Sequence, residues 1–443
     1  MISREGITLK KKAVNVGIVG LGTVGTGTAT ILLKKQKNIE KKTGFPVRVR
    51  RIADLDTKRD RGIKLPEGVL TDNVQSVLED PDIDIIVELI GGIHSAKEII
   101  LTALKNGKHV VTANKALLAE AGMELFRVAA RHKVDIGFEA SVAGSIPIIK
   151  VVRESLIGNS ISNIFGIING TANYILTKMT EEGVDFDSAL KEAQLLGYAE
   201  ADPTFDIEGI DSAHKLTILA SLAFGIPFSL KKVYTEGITG ITPLDIQFAS
   251  EFGYKIKLLA IAKQSGKDVE LRVHPTMLPE DDLIASVNGV FNAIFIEGDA
   301  TGEALYYGKG AGDMPTGSAV VSDIIDIGRN IITGADERIL GMHMNDSDLK
   351  VKAMEDIRTS YYLRFSAIDK PGVLSKISGI LGSHNISIKS MIQKGRKKEK
   401  AVPLVMMTHD AREKDMVGAL KEINKLSVVS GKTMYLRVEG DDD

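Results

Sequence analysis

The sequence predicts an α/β chain in three parts: a doubly wound parallel sheet, a mixed α/β catalytic and dimerisation domain inserted after its sixth strand, and a C-terminal ferredoxin-like domain. Three observations carry this reading. β-Branched runs alternate with helical stretches up to about residue 138, the string Gly20-Leu21-Gly22-Thr23-Val24-Gly25 follows the first such run, and the chain beyond Ser360 reads strand, helix, strand, strand, helix, strand.

In order, residues 13–19 are a β-branched strand and 24–35 a helix. Residues 47–53 are a second strand, and a short stretch at 74–78 precedes another strand at 83–89. Helical spacing over 99–106 and 116–132 alternates with strands at 109–112 and 134–138. Beyond residue 141 the period changes. Helices at 146–155, 173–182, 186–196 and 210–224 mix with strands at 161–168, 269–278 and 293–298. A glycine-dense loop, 308–317, leads into a helix at 318–332, and the charged, weakly patterned 346–358 reads as a linker. In the last domain strands at 361–367, 386–393, 402–408 and 433–438 enclose helices at 371–382 and 413–426, before an acidic tail, 441–443. The domain limits that follow are 1–138, 139–306, 307–345 as a return to the first domain, 346–359 as linker, and 360–443.

Composition excludes several classes of function. The 443 residues carry 56 basic and 58 acidic groups, a net charge of −2, so no basic footprint calls for nucleic acid or an anionic membrane. The uncharged apolar stretch 216–230 is interrupted by Gly225 and Pro227 and falls short of the roughly 20 apolar residues of a membrane span. Lys10, Lys11 and Lys12 lead straight into strand sequence without a signal-peptide pattern, so a cytoplasmic protein is expected. Cysteine is absent, which removes disulfides, thiolate metal sites and thioester chemistry. The eight histidines show no paired ligand spacing.

Gly20, Gly22 and Gly25, with Thr23 and Val24 between, form the G-x-G-x-x-G turn of a Rossmann dinucleotide site, where small residues let the backbone approach a pyrophosphate at a helix N-terminus. Asp54, at the end of the second strand, is the expected partner of a ribose 2′-hydroxyl. Arg50 and Arg51 just before it suit a 2′-phosphate instead, so NAD and NADP both stay open. Gly91 and Gly92 lie past a strand's carboxyl end, where such sheets bind ligands.

The segment 197–211 carries five carboxylates and is followed by Lys215. Asp211 and Lys215, four apart, share a helix face, and the uncharged run after them turns that face toward an interior or cleft. Such a lysine can move a proton at a carbinol oxygen, provided burial lowers its pKa against the opposing pull of Asp211. Lys115 closes Thr112-Ala113-Asn114-Lys115 at a strand's carboxyl end, beside the expected nicotinamide. The small, irregular stretch 139–146 suits main-chain oxygens ringing a monovalent cation.

Six ordered strings resemble the homoserine dehydrogenase family over most of the chain up to about residue 340: the glycine turn, Thr112–Lys115, 138–147, Asn169-Gly170-Thr171-Ala172-Asn173-Tyr174, 196–215 and 308–317. The resemblance implies interconversion of L-homoserine and L-aspartate 4-semialdehyde with NAD or NADP. It makes Lys215 the proton donor with Asp211 beside it, Glu200 a ligand of the substrate's amino-acid end, and Asp206 a further candidate for the ammonium. Lys115 and Thr112 would lie near the nicotinamide, and Gly312 would reach back to the cofactor. The family's sodium-type cation site would use Glu139, Val142, Gly144 and Ile146. Ser145 and Asp313 depart from the family's usual small residues.

The last domain resembles an ACT regulatory module, through 368–374 and Ser383-His384-Asn385-Ile386-Ser387-Ile388. The resemblance implies an amino-acid effector, L-threonine by analogy, and a homodimer or homotetramer. Pro371-Gly372 turns into a helix start whose free N–H groups suit a carboxylate, so Asp369, Gly372 and Asn385 are the effector candidates. Aspartate-semialdehyde dehydrogenase, the nearest enzymatic rival, needs a cysteine that this chain lacks. A non-catalytic sensor on a Rossmann scaffold would need neither Lys115 nor Lys215.

Overall fold

The computed structural model describes residues 10–335, 348–393 and 401–440. The acidic tail and the expected boundary at 345/346 lie outside the described residues.

The first domain runs β1 (Val14–Val19), α1 (Thr23–Lys34), α2 (Gln36–Thr43), β2 (Val47–Ala53), β3 (Leu70–Thr71), α3 (Gln75–Leu78), β4 (Ile85–Glu88), α4 (His94–Lys105), β5 (His109–Thr112), α5 (Lys115–His132) and β6 (Ile136–Gly137). Its strands pair in parallel in the order β3-β2-β1-β4-β5-β6, the doubly wound arrangement with its switch point between β1 and β4. Val14, Val16, Ile18, Ile85 and Val87 are buried because each face of such a sheet is covered.

The chain then crosses over through 139–147 into α6 (Ile148–Lys150), which continues as a π-helical turn over Val151–Ser155. The helix expected at 146–155 therefore starts after Pro147 and widens in its second half. The second domain adds β7 (Ile161–Ile167), α7 (Gly170–Glu182), α8 (Phe186–Leu195), α9 (Thr204–Ile207), α10 (Ile210–Phe224), β8 (Tyr234–Thr235), α11 (Pro243–Glu251), β9 (Tyr254–Ser265), β10 (Asp268–Pro279), β11 (Phe291–Gly298) and β12 (Gly302–Lys309). Strand β12 runs to Lys309, past the expected limit at 306. Helix α12 (Asp313–Thr333) then returns and packs on α1, starting five residues before the expected 318.

The last part comprises β13 (Lys350–Val351), β14 (Arg358–Ile368), α13 (Val373–Ser383), β15 (Ile388–Gln393), β16 (Ala401–Thr408), β17 (Ala411–Arg412), α14 (Glu413–Ile423) and β18 (Met434–Val438). Its four main strands stand in the order β18-β14-β16-β15, the ferredoxin-like arrangement. Part of the expected linker is paired. Lys350 and Val351 pair in parallel with Asp268 and Val269, because the β10 edge offers free backbone groups that two extended residues can take up.

Strand β18 also pairs with β10, Thr276 opposite Arg437 and Met277 opposite Val438, so the second and third domains share one continuous sheet. Buried charges close this seam. Arg272 bonds Glu439 at 2.6 Å, Arg437 bonds Glu413 at 2.6 Å and Glu236 at 2.9 Å, and Arg364 grips Asp245 at 2.6 and 2.9 Å.

Candidate active site

The glycine turn is shaped by close approach. Gly20 has φ +99°, and a Cβ on Gly25 would stand 2.1 Å from the Gly20 carbonyl oxygen. Gly22 caps α1 without a side-chain bond, and a Cβ on it would meet nothing within 4 Å, so the first N–H groups of α1 open onto free space. This cradle fits a dinucleotide pyrophosphate.

At the ribose corner the geometry differs from expectation. Asp54 accepts from the Leu21 N–H at 2.6 Å and pairs with Arg61 at 2.9 Å, so it braces the glycine turn. Arg61 also donates to the Leu21 carbonyl at 2.7 Å. Arg51, named as a cofactor residue, turns instead to Asp80 at 3.2 Å, and Arg50 joins it at 3.0 Å, because Asp80 offers both a shielded carboxylate. The arginine beside Asp54 is thus Arg61, in the loop after β2, which sequence reasoning missed for want of any fixed spacing to that loop.

Gly91 and Gly92 both adopt left-handed backbone and, with Val24, Glu88, Asn114 and Lys115, line a recess of about 310 Å³ between the glycine turn and α5. Asn114 caps α5 through its Oδ1, which accepts from the Leu117 N–H at 3.1 Å, while its Nδ2 donates to the Gly92 carbonyl at 2.6 Å. Thr112 donates to the buried Glu88 at 2.7 Å. Gly312, φ +122°, caps α12, whose first residue touches Gly27 of α1.

Lys115 starts α5 and faces the second domain. Its Nζ lies 2.6 Å from Asp211 Oδ1, and Lys215 Nζ lies 2.7 Å from Asp211 Oδ2. Asp211 sits in the first turn of α10, where the helix N-terminus favours its charge. Lys215 also donates to the Ile168 carbonyl at 2.7 Å, leaving one N–H for a ligand. Asn169 caps α7 with its Oδ1, and its Nδ2 donates to Asp206 at 2.7 Å and to Asp211 at 2.9 Å. The site reading had passed over Asn169, although it stands in one of the strings already singled out. Phe205 stacks on His214 at 5.2 Å, tying α9 and its Asp206 to α10.

Electrostatics separate the two lysines. Burial lowers the pKa of Lys215, and the neighbouring charge of Lys115 adds to this, outweighing Asp211. Burial also acts to lower Lys115, but Asp211, Asp206 and Glu200 together raise it above the ordinary lysine value. Asp211 is buried, yet the two lysines hold it well below the usual carboxylate range. Burial raises Asp206. Glu200 is exposed at the mouth of the site.

Along the crossover, Ala143 and Gly144 both have φ +54°, and Ser145 bonds the Lys309 carbonyl through its N–H at 3.0 Å and its hydroxyl at 2.9 Å. The Glu139 carboxylate is occupied, accepting from Ile149 N–H at 2.9 Å and Lys150 N–H at 3.0 Å, and the Ile146 carbonyl accepts from Ile148 N–H at 2.8 Å. Any cation at Glu139, Val142, Gly144 and Ile146 would therefore rest on main-chain oxygens. In the last domain Gly372, φ +87°, caps α13, whereas Asn385, φ +58°, follows its far end. At 1.5 Å per residue the helix sets them roughly 16 Å apart, so one chain does not gather Asp369, Gly372 and Asn385 around a single small ligand.

No helix among the described residues is long and apolar enough to cross a membrane. Three family models match: the homoserine dehydrogenase NAD-binding domain at 20–139, homoserine dehydrogenase at 147–325 and the ACT domain at 361–428. The chain is 46% identical over 431 residues to homoserine dehydrogenase of Neisseria gonorrhoeae, covering 97% of this chain and 99% of that one. It is 40% identical over 432 residues to homoserine dehydrogenase of Bacillus subtilis, covering 97% and 99%. Among solved structures, a homoserine dehydrogenase of Thiobacillus denitrificans matches with TM-score 0.91 and 49% identity over 97% of this chain and 98% of that one. A hyperthermophilic archaeal homoserine dehydrogenase in complex with NADPH matches with TM-score 0.61 and 31% identity over 71% and 98%. With the glycine cradle, the paired lysines and these likenesses together, the chain belongs to the homoserine dehydrogenase family and carries a C-terminal ACT domain.

Proposed function

We propose that Lys215 is the acid–base residue in the interconversion of L-homoserine and L-aspartate 4-semialdehyde, and that Lys115 is a fixed cation beside it. The observation that carries this is the single carboxylate, Asp211, holding both ammonium groups at 2.6 and 2.7 Å. Two like groups whose surroundings push their pKa values apart divide into a proton carrier and a permanent charge. Lys215, lowered by burial, can lose and regain a proton at the substrate's carbinol or aldehyde oxygen through its remaining N–H. Lys115, kept protonated, attracts the substrate carboxylate, while Glu200 and Asp206 take the ammonium. When bound, the nicotinamide supplies or accepts the hydrogen and electron pair.

At the ribose end Asp54 suits the 2′-hydroxyl of NAD and Arg61 the 2′-phosphate of NADP, which supports use of both. A sodium-sized ion on the main-chain oxygens of Glu139, Val142, Gly144 and Ile146 would brace the crossover. The separation of Gly372 from Asn385 supports an effector, L-threonine by analogy, held between two paired copies of the ACT domain, and hence a homodimer or homotetramer. The test is reduction of NAD and of NADP by L-homoserine, followed at 340 nm with and without L-threonine. Turnover is expected with at least one cofactor and a lower rate with threonine. Absence of turnover with both would end the reading of the two lysines.

A further inference from the structure

Glu88 ends β4 with its side chain fully buried, yet it lines the recess between the glycine turn and α5. Its Oε1 accepts from the Ile90 N–H at 2.9 Å and its Oε2 from the Thr112 hydroxyl at 2.7 Å. Thr112 also accepts from the Asn114 N–H at 3.0 Å, so its hydroxyl links that backbone group to Glu88. Both carboxylate oxygens are acceptors, the pattern of an ionised group; burial raises the pKa of Glu88 above the ordinary carboxylate value, and the bonds from Thr112 and Ile90 oppose this. Glu88 bears on Lys115 through Asn114, which adjoins it in sequence and binds the Gly92 carbonyl. One carboxylate thus ties together the two strand ends, β4 and β5, that form the floor of the recess.

We propose that Glu88 is the positioning residue of the nicotinamide half-site and that its charge makes the protein prefer the oxidised cofactor over the reduced one. The proposal rests on the cofactor reading of the recess. The oxidised nicotinamide ring carries a positive charge and the reduced ring none, so a carboxylate in the floor, shielded from water, favours the oxidised form. Favouring the oxidised ring makes the bound reduced cofactor a stronger donor toward the aldehyde. Lys115 stands at the same recess, but its Nζ is turned to Asp211 of the second domain at 2.6 Å, whereas Glu88 has only neutral partners, the Ile90 N–H and the Thr112 hydroxyl.

The test is direct binding of NADP and NADPH, by calorimetry and by the fluorescence of the reduced ring, in the whole protein without substrate. Binding of both forms by the unaltered protein checks the cofactor reading on its own. Glu88→Gln keeps the shape and removes the charge. It should weaken NADP by about tenfold while moving NADPH less than about twofold. Thr112→Val keeps the charge and removes the tie to β5. It should weaken both forms together and leave their ratio unchanged, and it keeps the proposal testable should the Gln variant fold poorly. Equal changes for both forms in Glu88→Gln would overturn the electrostatic part. Unchanged affinities in Thr112→Val would overturn the positioning part.

Discussion

Lys115 and Asp211 meet at 2.6 Å across the seam between the nucleotide-binding and catalytic domains, and Asp211 reaches Lys215 with its other oxygen. The bridge ties α5 to α10, so the contact that would tune Lys215, the proposed proton carrier, also joins the two halves of the site. Lys215→Ala should lower kcat by about 10²–10⁴ while cofactor affinity stays within about twofold. Steady-state turnover and cofactor titration check this, and normal turnover would remove Lys215 from the chemistry. In the oxidative direction Lys215 must be neutral to accept a proton. Homoserine oxidation should therefore rise with pH along an ionisation below the ordinary lysine value, and aldehyde reduction should fall along the same one.

Asn169 performs two tasks with one amide, capping α7 and fixing Asp206 and Asp211. Asn169→Asp keeps the cap but loses both donors and adds a third carboxylate beside Lys215. The variant should lose on the order of 1–3 kcal/mol of stability, through the two lost bonds and the like charges they leave facing one another, and about tenfold or more in kcat/KM. A melting temperature matching the parent with full activity would reduce Asn169 to a cap.

The helix that carries Asp211 and Lys215 was plain from sequence because these residues and the uncharged run after them lie in one helical register, which the structure keeps at Ile210–Phe224. Strand β9 was not. No strand is expected from sequence between residues 224 and 269, and Lys257 of β9 is 3% exposed and bonds the Val287 carbonyl at 2.6 Å. Lys263 pairs with Glu439, far along the chain in the next domain. Partners that distant leave no local pattern. The same holds for Arg61, whose contact with Asp54 depends on the path of an irregular loop. Short edge strands such as β13 are set by the neighbour they join, since two residues carry too little propensity of their own.

The shared sheet changes what removing the ACT domain does. Ending the chain at residue 349 strips β18 from β10 and leaves Arg272, 1% exposed in the intact protein, without Glu439. The shortened protein should aggregate on purification, because a strand edge is opened and the buried Arg272 keeps Glu270 but loses its shorter carboxylate contact. Light scattering and size exclusion check this. Glu439→Gln in the whole chain keeps the sheet, removes the buried ion pairs to Arg272 and Lys263, and should lower stability by about 1–4 kcal/mol in urea.

At the ribose corner, Arg61→Ala should reduce kcat/KM with NADP by roughly tenfold and with NAD by less than about threefold, because the 2′-phosphate loses its cation. Arg51→Ala should change neither, since Arg51 serves Asp80. The four ratios, measured side by side, distinguish the arginine of the loop from that of the strand. A selective loss with Arg51→Ala would reverse the assignment.

Glu139 and Asp323 give the crossover a pH dependence of their own. Burial, reinforced by the charge of Asp323, pushes Glu139 up to about 7, and burial pushes Asp323 up to about 6 despite Lys150 and Arg153. A raised carboxylate binds its proton more tightly in the folded state than in the unfolded one. Between the unfolded pKa of about 4.5 and the folded value, the native protein therefore holds more protons, and stability falls as pH rises through that window. Glu139→Gln removes the ionisation yet still offers one oxygen to the N–H groups of Ile149 and Lys150. Relative to the parent it should gain on the order of 1–3 kcal/mol between pH 4.5 and pH 8, whatever constant offset the substitution introduces. Urea midpoints of both proteins at several pH values give this difference directly. A difference that stays flat with pH would mean that Glu139 ionises in the folded crossover as readily as in the unfolded chain.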